Sequence, residues 1–172
     1  KWVEIDVKVS KDHIPFLLHD SSLERTTSGS GSPLNYTYNE LYKLDAGVWF
    51  DEKYKNLYPP TLQEVLDYCS KKNIGVNIEL KPNKGSEEAN LVAITELIMK
   101  HTFDCQYFLS SFDWFSAIKI RKLLPESHVG ILIDSFDQKR NFTQVLNKCS
   151  EHNLLSCGFN ITIISDEIIK AC

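Results

Sequence analysis

From Pro60 onward, short β-branched runs alternate with longer segments whose apolar positions recur at helical spacing. A parallel sheet covered by helices produces this pattern. Thr61-Leu62-Gln63-Glu64 forms a capping box behind Pro59 and Pro60, and Leu62, Val65, Leu66 and Cys69 then share one helical face. A helix is therefore predicted from about Leu62 to Lys71. A strand from Gly75 to Leu80, a helix from Glu87 to Lys100 and a strand from Gln106 to Ser110 follow, then a helix from Trp114 to Leu124 that Pro125 stops. The cycle continues with His128 to Ile133, Phe142 to His152, Leu155 to Asn160 and a final helix beginning near Ser165. Four strand–helix cycles at a spacing of about 25 to 30 residues suit a βα barrel or a doubly wound sheet.

The first 60 residues differ. Trp2 to Val9 and Ile14 to His19 are extended runs joined by the polar turn Ser10-Lys11-Asp12-His13, which reads as strand, turn, strand. Ser28-Gly29-Ser30-Gly31-Ser32-Pro33 reads as a loop, and Thr37-Tyr38-Asn39-Glu40 caps a short helix through about Leu44. Aromatic-rich stretches, Tyr36 to Tyr42 and Trp49 to Tyr58, fill a long excursion before the regular pattern starts. An excursion of this kind is more often a lid or a substrate-binding insertion than structureless loop.

Alternation also sorts the charges. In Trp2-Val3-Glu4-Ile5-Asp6-Val7 both acids point to one face of a strand while Val3, Ile5 and Val7 point to the other, where helices should cover them. Val76-Asn77-Ile78-Glu79-Leu80-Lys81 repeats the arrangement with Asn77, Glu79 and Lys81 on the polar side. Solvent-facing strands of an antiparallel sheet would alternate likewise, but the second run lies inside a parallel series, whose strands are usually covered on both faces. Its polar face therefore suits the mouth of a barrel. If Glu4, Asp6 and Glu79 converge, their charges repel unless a cation is present. An all-oxygen set selects a hard divalent ion, Mg2+ or Ca2+, and Lys81 adds a fixed positive charge beside it, so the group describes a receptacle for a phosphate oxyanion.

His19-Asp20 ends the second extended run, the kind of edge position a catalytic imidazole needs. His13, His101, His128 and His152 sit beside neither acidic strand, and Asp12 and Asp20 read as turn formers. Phe112, after Ser110-Ser111 at a strand end, is a candidate pocket aromatic, with the core as its commoner fate.

Composition narrows the field of functions. With 19 basic and 23 acidic residues among 172 the formal charge is −4, which argues against a nucleic-acid partner. No apolar run approaches the roughly 20 residues of a membrane helix. The five cysteines, Cys69, Cys105, Cys149, Cys157 and Cys172, show no Cys-x-x-Cys spacing and read as buried thiols in a reducing compartment. Asn35-Tyr36-Thr37, Asn141-Phe142-Thr143 and Asn160-Ile161-Thr162 match the glycosylation sequon, which matters only in a secreted protein.

Glu4-Ile5-Asp6, Ser10-Lys11-Asp12, Leu17-Leu18-His19-Asp20, Leu23-Glu24-Arg25-Thr26-Thr27 and Asn77-Ile78-Glu79-Leu80-Lys81-Pro82 together resemble the glycerophosphodiester phosphodiesterase family. Their order and spacing are most similar to the bacterial cytoplasmic members, as are Leu44-Asp45-Ala46-Gly47-Val48-Trp49-Phe50 and Leu109-Ser110-Ser111-Phe112. The resemblance implies a TIM-type βα barrel over residues 1–172, with an insertion at about 21–58 and a site at the C-terminal ends of the strands. It implies divalent-cation-dependent hydrolysis of glycerophosphodiesters, such as glycerophosphocholine or glycerophosphoethanolamine, to glycerol 3-phosphate and an alcohol. By position Glu4, Asp6 and Glu79 become metal ligands and His19 one of two acid/base histidines. Lys81 and Phe112 fall to phosphate or substrate binding, and a cytoplasmic location follows from the bacterial likeness.

The family's opening His-Arg-Gly and Glu-Asn-Thr blocks have no counterpart here, nor does its Thr-Val-Asn-like block near the end. A closed barrel takes about 250 residues, so the segment reads as the middle of a barrel, expected to fold poorly or to associate when isolated. Rival readings are a barrel phosphodiesterase acting on intact phospholipid, of the phospholipase C or D type, and a catalytically inactive binding remnant.

Overall fold

The structure, a computed structural model, describes residues 1–137 and 141–171; Cys172 lies outside them. The alternating opening run forms strand β1 (Trp2–Val9), which turns through residues 10–13 into the short antiparallel strand β2 (Pro15–Leu17). Asp12 closes that turn as its sequence suggests, accepting hydrogen bonds from Ser10 Oγ at 2.6 Å and from the Tyr38 N–H at 2.8 Å. The extended run expected to reach His19 pairs as strand only to Leu17, because the chain then climbs out over the end of the sheet. One further hydrogen bond, from the Leu18 N–H to the Asp6 carbonyl (3.1 Å), holds it there.

The excursion that follows has a core of its own. Phe16, Leu18, Leu23 and Leu41 are buried together, with Tyr36, Tyr38 and Leu44 packed around them. Helix α1 (Tyr38–Leu41) is a single turn that stops short of the expected Leu44. At its start the Glu40 carboxylate accepts the Thr37 N–H at 2.8 Å.

Then the regular series begins: α2 (Leu62–Lys72), β3 (Gly75–Leu80), α3 (Glu87–Lys100), β4 (Tyr107–Ser111), α4 (Trp114–Leu123), β5 (Val129–Ile133), α5 (Phe142–His152), β6 (Ser156–Phe159) and α6 (Asp166–Ala171). Helices α2 and α5 both end in a left-handed asparagine, Asn73 (φ 51°) and Asn153 (φ 53°), which turns the chain back toward the next strand.

The sheet order is β2-β1-β3-β4-β5-β6, with every pair parallel except β2 with β1. Among the described residues the sheet does not close on itself. One face carries Val7, Val76, Ile78, Leu80, Leu109, Val129 and Ile131, all buried against residues of the covering helices such as Leu66, Leu91, Ile94, Ile120 and Val145. Val3 departs from the expected burial: it remains exposed and Ile5 is half-buried. Helix α3 meets β1 near its C-terminal end, where fully buried Asn90 donates Nδ2–H to the Val7 carbonyl at 3.0 Å. Cys69 and Cys105 are buried free thiols, as expected of the interior.

The α2 capping box does more than start a helix. Glu64 accepts the Thr61 N–H (2.8 Å) and also the Tyr58 hydroxyl (2.9 Å), so it ties the end of the excursion to the first covering helix. Thr61→Ala removes the oxygen that receives the Glu64 N–H and is expected to cost about 1 kcal/mol. Urea titration checks this, and an unchanged midpoint would deny the cap its role.

Candidate active site

Register brings the acids together. Parallel pairing sets Asp6 beside Glu79, Glu79 beside Ser110, Ser110 beside Gly130 and Gly130 beside Ser156, one row across five strands on the face away from the helices. Glu4 and Lys8 flank Asp6 on the same side of β1, and Asn77 and Lys81 flank Glu79. Beyond the acids the row holds only Ser110, Gly130 and Ser156, so the floor stays low. A Cβ at Gly130 would meet Ser156 Oγ at 2.2 Å, so the backbone approaches that closely only with glycine. Ser110 Oγ donates to Asn77 Oδ1 at 2.8 Å and braces the residue beneath.

The three predicted ligands converge. Glu4, Asp6 and Glu79 each offer a carboxylate oxygen, and these atoms lie within 4.8 Å of one another. Lys81 Nζ bridges two of them, at 2.9 Å from Asp6 Oδ1 and 3.0 Å from Glu79 Oε1. Burial raises the Glu79 carboxyl above its usual range and the Asp6 charge adds to it, while Lys81 and His19 pull it down. Burial raises Glu4 too, helped by Asp6 and Glu79. At Lys81 burial works against the charge, yet the bonds to Asp6 and Glu79 outweigh it and the ammonium is held more firmly than usual. The site thus carries more negative charge than its lysine compensates. For oxygens spaced so there is a point within about 2.8 Å of all three, close to the Ca2+–oxygen distance and a contraction short of that of Mg2+. With no nitrogen or sulfur among the three, the donors fit a hard divalent ion.

His19 stands at the same edge of the sheet, carried there by the Leu18 bond to the Asp6 carbonyl. Its Nδ1 is 2.7 Å from Asp20 Oδ1. Asp20 in turn accepts two bonds from Arg25, from Nε at 2.5 Å and Nη2 at 2.8 Å, and the Arg25 guanidinium lies 6.0 Å from the Trp49 ring centre. Asp20 is therefore not the turn former its sequence suggested but a carboxylate that orients the imidazole. With Nδ1 engaged, Nε2 is the nitrogen left for proton exchange.

Lys8, Asn83 and Arg25 carried no sequence signal strong enough to single them out. Lys8 is 3% exposed, and its Nζ donates to the Lys81 carbonyl (2.8 Å) and to Asn83 Oδ1 (2.9 Å). Burial, and then the neighbouring Lys81 charge, lower its ammonium to about 8. Asn83 Nδ2 reaches the Ser21 carbonyl at 2.9 Å, so these residues knit β1, the loop after β3 and the loop after β2 together.

Two open clefts meet at Lys81. One, about 480 Å³, runs past Lys8, His19 and Asp20. The other, about 360 Å³, runs past Glu79, Glu87 and Phe112. Phe112 is 41% exposed with its ring centre 5.8 Å from Lys81 Nζ, so it is a cleft wall and not a core aromatic. A larger hollow of about 710 Å³ lies at the other end of the strands, among Trp2, Tyr107, Phe108 and His128, away from the carboxylates.

The profile of the glycerophosphoryl diester phosphodiesterase family matches residues 1–171. A glycerophosphodiester phosphodiesterase of Caldanaerobacter subterraneus subsp. tengcongensis is 36% identical over 134 residues, which are 76% of this chain and 54% of that protein. One from Bacillus subtilis is 35% identical over 137 residues, 72% of this chain and 46% of that protein. The chain thus spans about half the length of these curated relatives. Among solved structures, an Oleispira antarctica phosphodiesterase in complex with the product sn-glycerol-3-phosphate is similar with a TM-score of 0.89 and 31% identity, over 99% of this chain and 69% of that one. The described sheet accordingly has the architecture of a TIM-type βα barrel without closure.

Arg25, and after it His19, hold the Asp20 carboxyl well below the usual range. The unfolded chain binds that proton more readily, so the contribution of Asp20 to stability is complete above the ordinary carboxylate value of about 3.9 and is lost as pH falls toward the folded one. In denaturant titrations between neutral pH and about pH 2, Asp20→Asn is expected to lose less stability than the parent protein. Equal losses would show that the carboxylate is not held by its two partners.

Proposed function

Because the chain belongs to the glycerophosphoryl diester phosphodiesterase family, we propose that it hydrolyses glycerophosphodiesters to glycerol 3-phosphate and an alcohol. The observation that carries this reading is the convergence of Glu4, Asp6 and Glu79 beside Lys81, with an oriented His19 on the same edge of the sheet. The product-bound state of the Oleispira antarctica relative supports it.

Glu4, Asp6 and Glu79 would hold a divalent cation, Mg2+ or Ca2+, which would supply neutralisation of charge on the phosphoryl oxygens. Lys81 supplies a second, fixed positive charge to the same phosphate as negative charge develops in the transition state. Phe112 offers an apolar wall to the carbon skeleton of the glycerol in the cleft it lines. His19 donates the proton on Nε2 to the departing alcohol oxygen, while Asp20 fixes the orientation of the ring. On this reading the second acid/base histidine that the resemblance implies, in the His-Arg-Gly block, would serve the nucleophile.

The cleft past His19 is lined almost wholly by charged and polar side chains, and the one past Phe112 sets its apolar wall against Glu79, Lys81, Lys84 and Glu87, which favours a small polar diester over a phospholipid with acyl chains. Among the described residues no helix is long and apolar enough to cross a membrane. The buried thiols Cys69 and Cys105 suit a reducing compartment such as the cytoplasm.

His19→Ala in the full-length protein is expected to lower kcat by about 10²- to 10⁴-fold; wild-type turnover would remove His19 from the mechanism. For the cation site, Mg2+ or Ca2+ at about a hundred times its dissociation constant should stabilise the protein by roughly 2.7 kcal/mol, seen as a rise in melting temperature that chelator reverses. Glu79→Gln should abolish that rise, and a rise of equal size in the variant would strike Glu79 from the ligand set.

A further inference from the structure

The two clefts that meet at Lys81 are chemically unlike. Lys81 and Lys84 line both, but the one beside Phe112 adds an aromatic wall and the acids Glu79, Glu87 and Asp113, whereas the one beside His19 adds Lys8 and a single acid, Asp20. Lys81 is already engaged by Asp6 and Glu79. Lys8 is not so engaged: it is 3% exposed, and both its hydrogen bonds go to neutral oxygens, the Lys81 carbonyl and the Asn83 side chain. A buried ammonium is ordinarily matched by a carboxylate, and among the described residues Lys8 forms no ion pair. Lys84, exposed at the rim, forms none either. The one carboxylate in the lining, Asp20, is taken up by Arg25 and His19. Neither Lys8 nor Lys84 is thus in direct ion-pair contact with a carboxylate among the described residues.

We propose that this cleft receives a leaving alcohol bearing a second negative charge, a carboxylate or a phosphate, so that the enzyme prefers anionic glycerophosphodiesters to neutral or cationic ones. The inference rests on the phosphodiesterase reading. The departing oxygen takes its proton from His19, so the alcohol lies on the His19 side, in front of Lys8 and Lys84. A quaternary ammonium group such as that of choline is recognised by aromatic faces, and this cleft offers none.

Two matched pairs of substrates test it on the full-length protein. Glycerophosphoserine and glycerophosphoethanolamine differ by one carboxylate; glycerophosphoinositol 4-phosphate and glycerophosphoinositol differ by one phosphate. In at least one pair kcat/KM should favour the anionic member by about tenfold at low salt, and which pair does so tells carboxylate from phosphate. Lys84→Gln should bring that ratio down toward one, as should added salt. Calorimetric binding of inositol 4-phosphate, weakened in Lys84→Gln, provides a second readout. Hydrolysis with ratios near one in both pairs overturns the proposal and leaves the phosphodiesterase standing. No hydrolysis, with binding that still depends on Lys84, overturns the phosphodiesterase reading and keeps the anion cleft. Loss of both hydrolysis and binding overturns the two together.

Discussion

The parallel register of β1 against β3 is the constraint on which the site depends. It sets Asp6 beside Glu79, and the two-residue period of each strand brings Glu4 and Lys81 to the same face. A slip of one residue in either strand would turn its polar residues under the helices and its apolar residues onto the floor of the site. The buried apolar row of Val7, Val76, Ile78 and Leu80 therefore fixes not only the core but also the spacing of the carboxylates. Hydrophobic packing on one face holds like charges together on the other, against their repulsion.

Around that pair of strands the chain arranges support from distant segments. The Leu18 bond to the Asp6 carbonyl brings His19 to the acidic edge, and Lys8, Asn83 and Ser21 tie β1 to the loops after β3 and β2. The excursion contributes through Arg25, whose guanidinium holds Asp20 on one side and lies near Trp49 on the other. Small residues across the row, Ser110 and Gly130, leave room above the floor. The acids, the imidazole and the clefts are thus consequences of a few backbone alignments.

Much of this was legible in the sequence, for physical reasons. Strand and helix periods are local, so β1, β3, α3 and α5 fall where alternation and helical spacing place them, and Glu4, Asp6, Glu79 and Lys81 follow from the period of two. Phe112 and His19 needed the resemblance as well, because a lone aromatic or histidine at a strand end has several common fates. Asp20 was misread because a turn former and a carboxylate behind an imidazole look alike until Arg25 is seen to reach it, five residues on. Lys8 gave no signal because its burial depends on loops after β2 and β3, which no local pattern describes. The exposed Val3 has the same origin: alternation reports which face a side chain takes, not whether a helix lies over it.

The pairing of Trp2 with Gly75 and of Asp6 with Glu79 also has a consequence in time. The strands that build the site are neighbours in space but are separated by the whole excursion and one helix. At ribosomal rates of about 5 to 20 residues per second, roughly 4 to 15 seconds pass between emergence of the first two acids and of the third. During that interval β1 waits without β3 beside it, and its acidic residues keep the unpaired strand hydrated. Charges that later serve the site would thus also guard a waiting strand from the wrong neighbours.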